Sequence, residues 1–109
     1  MNEYFVLLTP LAKQQLQSIY NYIAYDLANP IAADTFLKRM EEAFSGLSIF
    51  PASRPLLQKE PWKQQGIHKL IVKSYLAYYW INEARKEVHI LCVLGARMDQ
   101  FIQLKKLSR

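Results

Sequence analysis

The sequence predicts an α+β fold. An N-terminal strand is followed by an antiparallel two-helix hairpin packed on a small antiparallel sheet, in the order β-α-α-β-β-β. Three observations carry that prediction. Residues 66–99, GIHKLIVKSYLAYYWINEARKEVHILCVLGARMD, hold three apolar runs separated by short polar breaks. Residues 10–47 hold two amphipathic stretches of helical period, each opened by a capping residue and a proline. At 109 residues and 51% hydrophobic, the chain is a single domain over 1–109 with enough apolar side chains for one modest core. A hairpin has one apolar stripe per helix and a small sheet has one apolar face. Burying the first on the second gives a two-layer domain.

Residues 4–8 form a short apolar run stopped by Thr9-Pro10, which reads as the first strand. Thr9 suits an N-cap, and Pro10 suits the first helical position because proline has no N–H to leave unpaired there. Ala12, Leu16, Ile19, Tyr20, Ile23 and Leu27 then recur at helical spacing, with Lys13, Gln14, Gln17, Ser18 and Asn21 opposite. The helix stops before Pro30, since the residue ahead of a proline avoids helical dihedrals. Asn29-Pro30 repeats the start signal. Ala33, Phe36, Leu37, Met40, Phe44 and Leu47 form the second stripe, against a wet face of Asp34, Lys38, Glu41 and Glu42. So short a connection forces the two helices antiparallel. Pro51 forbids continuation.

Residues 51–65, PASRPLLQKEPWKQQ, contain three prolines and read as one long irregular segment, tacked to the core by Trp62 and Leu56-Leu57. The runs 67–72, 76–81 and 88–94 are rich in Ile, Val, Tyr and Trp and too short for helices, so they read as an antiparallel meander. Leu16, Ile23, Phe36, Met40, Phe44, Leu70, Ile90 and Val93 are expected to be buried together. Residues 100–109 fit an edge strand, a helical turn or a frayed tail equally.

Charge is unevenly placed. Residues 1–50 carry three basic groups against five acidic ones, whereas residues 51–109 carry eleven against four. A basic half points to a polyanion or an acidic protein partner, and equally to a solvated face. The single cysteine, Cys92, excludes an intrachain disulfide and fits a reducing compartment. The N-terminus lacks the basic and small-residue pattern of a signal peptide, and no apolar run approaches a membrane span. A cytoplasmic location without membrane attachment is expected.

The residue types narrow the chemistry. His68 and His89 fall on different strands and the cysteine lies in an apolar run, so no metal set is expected. His89, between Val88 and Ile90, reads as structural. With only Gly46, Gly66 and Gly95, there is no phosphate-cradling loop, and no serine-triad pattern appears. No cofactor is expected. What remains is basic and aromatic: Lys69, Ile71 and Lys73 on one strand face, Tyr75, Tyr78, Tyr79 and Trp80 close by, and Arg97 and Asp99 after the third run. Aromatic rings beside cations suit stacking on bases and gripping phosphates. The opposing reading is a core of aromatics edged by solvated lysines.

Several segments in order resemble the RelE/ParE superfamily of type II toxin–antitoxin toxins. These are YFVLLTPLAKQQLQSIYNYI, NPIAADTF, the FP after the second helix, GIHKLIVKSYLAYYWI, VHILCVLGAR and the acid Asp99. NPIAADTF and LSIFP resemble the ParE branch in particular. The resemblance implies a helix hairpin on an antiparallel sheet, and growth arrest relieved by a cognate antitoxin encoded adjacently, in a hetero-oligomer with it. It implies an antitoxin surface that includes Leu16, Tyr20, Phe36, Met40 and Arg54, and a target- or nucleic-acid-binding surface that includes Lys69, Lys73, Tyr75, Tyr79, Arg97 and Asp99. The superfamily divides between inhibitors of DNA gyrase similar to ParE and ribosome-dependent mRNA interferases similar to RelE. Of the interferase pattern this chain keeps Lys69 and Arg97, which would be the catalytic pair of a nuclease. The second strand lysine falls on Ile71 and the following arginine on Leu76. Cleaving RNA needs a base for the 2′-hydroxyl and cations for the developing charge, and alternation turns His68 away from Lys69. The expectation is therefore a ParE-like gyrase inhibitor with no catalytic residues of its own, the alternative being an interferase acting on ribosome and mRNA.

Overall fold

A computed structural model describes residues 3–95. Strand β1 (Phe5–Leu8) leads into helix α1 (Pro10–Asn21), which continues as a π-helical turn (Tyr22–Asp26). Helix α2 spans Pro30–Gly46, and a 3-10 turn (Pro51–Ser53) opens the long loop. Strands β2 (His68–Val72), β3 (Tyr75–Asn82) and β4 (Glu87–Gly95) complete a sheet of order β1-β4-β3-β2.

The local signals act as the sequence predicts. Thr9 Oγ1 accepts from the Ala12 N–H at 3.1 Å and Asn29 Oδ1 from the Ala32 N–H at 3.1 Å, each ahead of a proline at the first helical position. The meander is antiparallel throughout, β2 with β3 and β3 with β4.

The first strand differs in sense from an all-antiparallel sheet, since β1 pairs parallel with β4, Phe5 opposite Glu87 and Leu8 opposite Ile90. The connectivity explains it. After the hairpin, the Ser48 carbonyl accepts from the Tyr4 N–H at 2.8 Å, so the chain has returned to the end where β1 began. Strand β2 therefore sets out in the same direction as β1, and two reversals later β4 does too. The sheet is mixed.

Strand β4 carries a bulge, for Tyr78 lies opposite Cys92 and Tyr79 opposite Ile90, leaving Leu91 unpaired. Side chains from the start of α1 tend this end of β4. The Thr9 hydroxyl donates to the Leu91 carbonyl at 3.0 Å, and Gln15 Oε1 accepts from the Val93 N–H at 2.8 Å. Gln15 thus serves the β4 edge where β1 has ended.

Burial follows both faces of the sheet. On the helix side, Ile23, Phe36, Met40, Phe44, Leu70, Ile90 and Val93 are buried in one cluster, with Leu16 half-buried against it. The far face is not bare. Trp62 and Ile67 from the loop cover Tyr78, Cys92 and Leu94. Loop residues reach that position because residues 55–57 run along β2. Lys69 donates its N–H to the Pro55 carbonyl at 3.0 Å, Leu57 donates to Ile67 at 2.8 Å, and Leu56 bridges His68. Leu57 and Trp62 anchor the loop, whereas Leu56 stays exposed. No described helix is long and apolar enough to cross a membrane.

Candidate functional site

A groove of about 490 Å³ opens where the tip of the hairpin meets the β2–β3 turn. Its floor is Phe36 and Met40 of α2, with Val72 and Tyr75 from the sheet. The Phe36 and Tyr75 rings lie 4.7 Å apart, tilted by 59°. Its mouth carries Leu27 and Ile31, which are 55% and 78% exposed. Two cations stand on the rim, Arg39 from α2 and Lys73 from the turn.

The π-helical turn shapes this groove. The Leu27 N–H bonds to the Tyr22 carbonyl five residues back, at 3.0 Å. The extra residue in the turn retards the helical phase, so Leu27, expected on the core stripe, leaves it for the mouth. Ala28 then takes a left-handed φ of 50°, and Asn29 donates to the Ile23 carbonyl at 3.0 Å. This ending turns the chain sharply into α2.

Of the expected target-binding residues, the four that are described do not form one patch. Tyr79 is fully buried, donates its hydroxyl to the Pro51 carbonyl and offers no surface. Plain alternation along β3 puts Tyr79 on the helix side with Tyr75, Ala77 and Ile81, and Tyr78 on the side of Trp62. Tyr75 faces the helices and lines the groove. Lys73 is the first turn residue, not a strand residue, with φ 57°. Lys69 shares its parity with Ile67 on the opposite face, where Ile71 is 62% exposed. Arg97 and Asp99 lie outside the described residues, as does the segment 100–109.

The expected antitoxin-facing residues also divide. Phe36 and Met40 form the groove floor, with Met40 wholly buried beneath it. Tyr20 is half-buried and donates to Asp34 Oδ1 at 2.7 Å, tying α1 to α2. That hydrogen bond to a carboxylate raises the Tyr20 hydroxyl above its ordinary value. Leu16 packs on the core. Arg54 is exposed on the loop at the far end of β2, where its carbonyl meets His68 Nδ1 at 2.8 Å. The periodicity overlooked Arg39, Thr35 and Ile31. Ile31 was detectable, as a large apolar residue off the stripe of α2.

The histidines are engaged. His68 stacks on Tyr79 with ring centroids 5.1 Å apart, on the helix side and away from Lys69. His89 Nε2 lies 3.0 Å from Glu87 Oε1, with Trp80 beside the ring. Burial pushes the Cys92 thiol and the Tyr78 hydroxyl up to about 12. Among the described residues no cluster of His, Cys, Asp and Glu could hold a metal ion.

The chain matches the family model of the ParE toxin of type II toxin–antitoxin systems over residues 6–100. In structure it is similar to a chain of the chromosomal ParDE system from P. aeruginosa, with a TM-score of 0.71 at 19% identity, covering 89% of this chain and 100% of that one. It is also similar to a chain of the RelBE2 complex from Mycobacterium tuberculosis, with a TM-score of 0.60 at 23% identity, covering 85% and 98%. The isolated E. coli RelE toxin gives 0.52 at 15% identity, covering 96% and 99%. No curated protein matches the chain in sequence.

Proposed function

The chain belongs to the ParE toxin family of type II toxin–antitoxin systems, and on that footing we propose that it arrests growth by binding DNA gyrase and is silenced by an antitoxin encoded beside it. The observation that carries a binding rather than a cleaving role is the disposition of His68. Stacked on Tyr79 and held by the Arg54 carbonyl, its imidazole sits on the opposite sheet face from Lys69. A base and a cation on opposite faces cannot serve one scissile phosphate. The groove, by contrast, has the form of a peptide-binding surface: an apolar floor, an apolar mouth and cations on the rim. An antitoxin tail that orders on binding fits it, and the protein works in the cytoplasm, where gyrase and antitoxin both meet it.

Purified protein tests this directly. Gyrase-catalysed supercoiling should fall as toxin is added and recover when the product of the adjacent gene is added. Cleavage of mRNA on ribosomes, with supercoiling untouched, would overturn the reading in favour of an interferase. In that case Arg97→Ala should abolish cleavage while folding persists.

A further inference from the structure

We propose that Arg39 and Lys73 form a cation clamp across the groove, selecting a partner segment that carries a carboxylate beside an apolar side chain. This rests on reading the groove as the antitoxin's seat and names the chemistry the seat recognises.

The first observation is the pairing of cations with an apolar floor. Arg39 and Lys73 come from separate elements yet line one groove over Phe36, Met40 and Tyr75. Among the described residues neither has an ion-pair partner. Apolar walls weaken solvent screening, so a carboxylate arriving there is held more strongly than on open surface.

The second observation is the backbone at Lys73. Its φ of 57° is one that side-chain-bearing residues adopt reluctantly, and glycine is favoured at this hairpin position. Lys86 shares that feature with φ 54°, but its ammonium is used within the chain, 3.7 Å from Glu83 and 5.0 Å above the Tyr4 ring. Lys73 carries the same conformational penalty with no ion pair among the described residues in return. A strained residue that lines a groove is accounted for when its partner is another molecule.

The occupant is an acidic protein segment. A nucleic acid would need an open ring to stack on, and the Tyr75 ring is taken up by Phe36. Exposed Leu27 and Ile31 extend the apolar floor outward, as an amphipathic segment requires.

The test uses the full-length protein and the purified product of the adjacent gene, with affinity measured at low and high salt. Lys73→Gly separates the roles, because it relaxes the backbone while deleting the charge. It should melt higher than wild type yet bind about tenfold more weakly. Lys73→Glu and Arg39→Glu should weaken binding further and reduce its salt dependence. One carboxylate-to-lysine change in the partner should restore binding to Lys73→Glu. If Lys73→Gly and Arg39→Glu bind like wild type, the clamp is refuted and the antitoxin reading stands. If the wild-type chain does not bind the adjacent gene's product at all, the antitoxin reading falls, and the clamp falls with it.

Discussion

Tyr79 ties the long loop to the core through one hydroxyl. Its ring is buried against α2 and the sheet, His68 stacks on it, and it donates to the Pro51 carbonyl. Tyr79→Phe keeps the packing and deletes the donor, so it should cost about 1–2 kcal/mol in urea unfolding. Burial raises both Tyr78 and Tyr79 from 10.0 to about 12. Above pH 10.0 the unfolded chain releases protons that the folded chain retains. Stability from these groups is therefore complete below that pH and is lost as pH rises toward about 12. Unfolding midpoints followed across that interval should fall, and Tyr79→Phe should flatten the decline. Cys92, buried and with its thiol pushed up to about 12, should react with a thiol reagent only as fast as the chain opens. Prompt labelling of the native protein would place Cys92 at the surface.

At the scale of elements, the hairpin was readable because Thr9-Pro10 and Asn29-Pro30 each combine a cap with a fixed φ, an argument local to a few residues. The π-helical turn was not. It coincides with Ile23 and Ala24 packing on the core, a tertiary contact that periodicity alone does not contain. Ala28 closes that turn with a left-handed φ of 50°. Ala28→Gly removes the steric conflict and should stabilise the protein by about 0.5–1 kcal/mol in thermal or denaturant unfolding. On α2, Phe44 is buried among helix-side sheet residues. Phe44→Ala should cost about 3–5 kcal/mol by denaturant titration. A loss below about 1 kcal/mol would mean that this face of α2 does not carry the core.

For the whole molecule, the toxin and its antitoxin form a linked equilibrium. A partner that seats in the groove of the folded chain and ignores the unfolded one stabilises it by about 2.7 kcal/mol at a hundred times its Kd. The melting temperature of the toxin should accordingly climb with added antitoxin. Thr35→Trp, which fills the groove from α2, should abolish that climb while leaving the unbound melting temperature near wild type. The same architecture separates the lysines. Lys69 and Lys73 are four residues apart, but one belongs to the outer face of β2 and the other to the turn that rims the groove.

By itself, the sequence determined what depends on near neighbours: two capped helices, three apolar strands, the break at Pro51 and the identity of the helix-side core. Each follows from dihedral preference or periodicity within one element. Tertiary structure decided the rest. The parallel pairing of β1 with β4 follows from where the hairpin returns the chain. The bulge at Leu91 let Ile90 and Val93, three residues apart, both face the helices, and the covering of both sheet faces removed Tyr78 and Tyr79 from the surface. The second apolar cluster arose because the loop is hydrogen-bonded along β2, which brings Trp62 over the far face. The groove joins residues as far apart in the chain as Ile23 and Tyr75. A surface composed of side chains from the π-helical turn, α2, β2 and β3 exists only once those elements have packed, since its shape is set by their relative placement and no single segment encodes that.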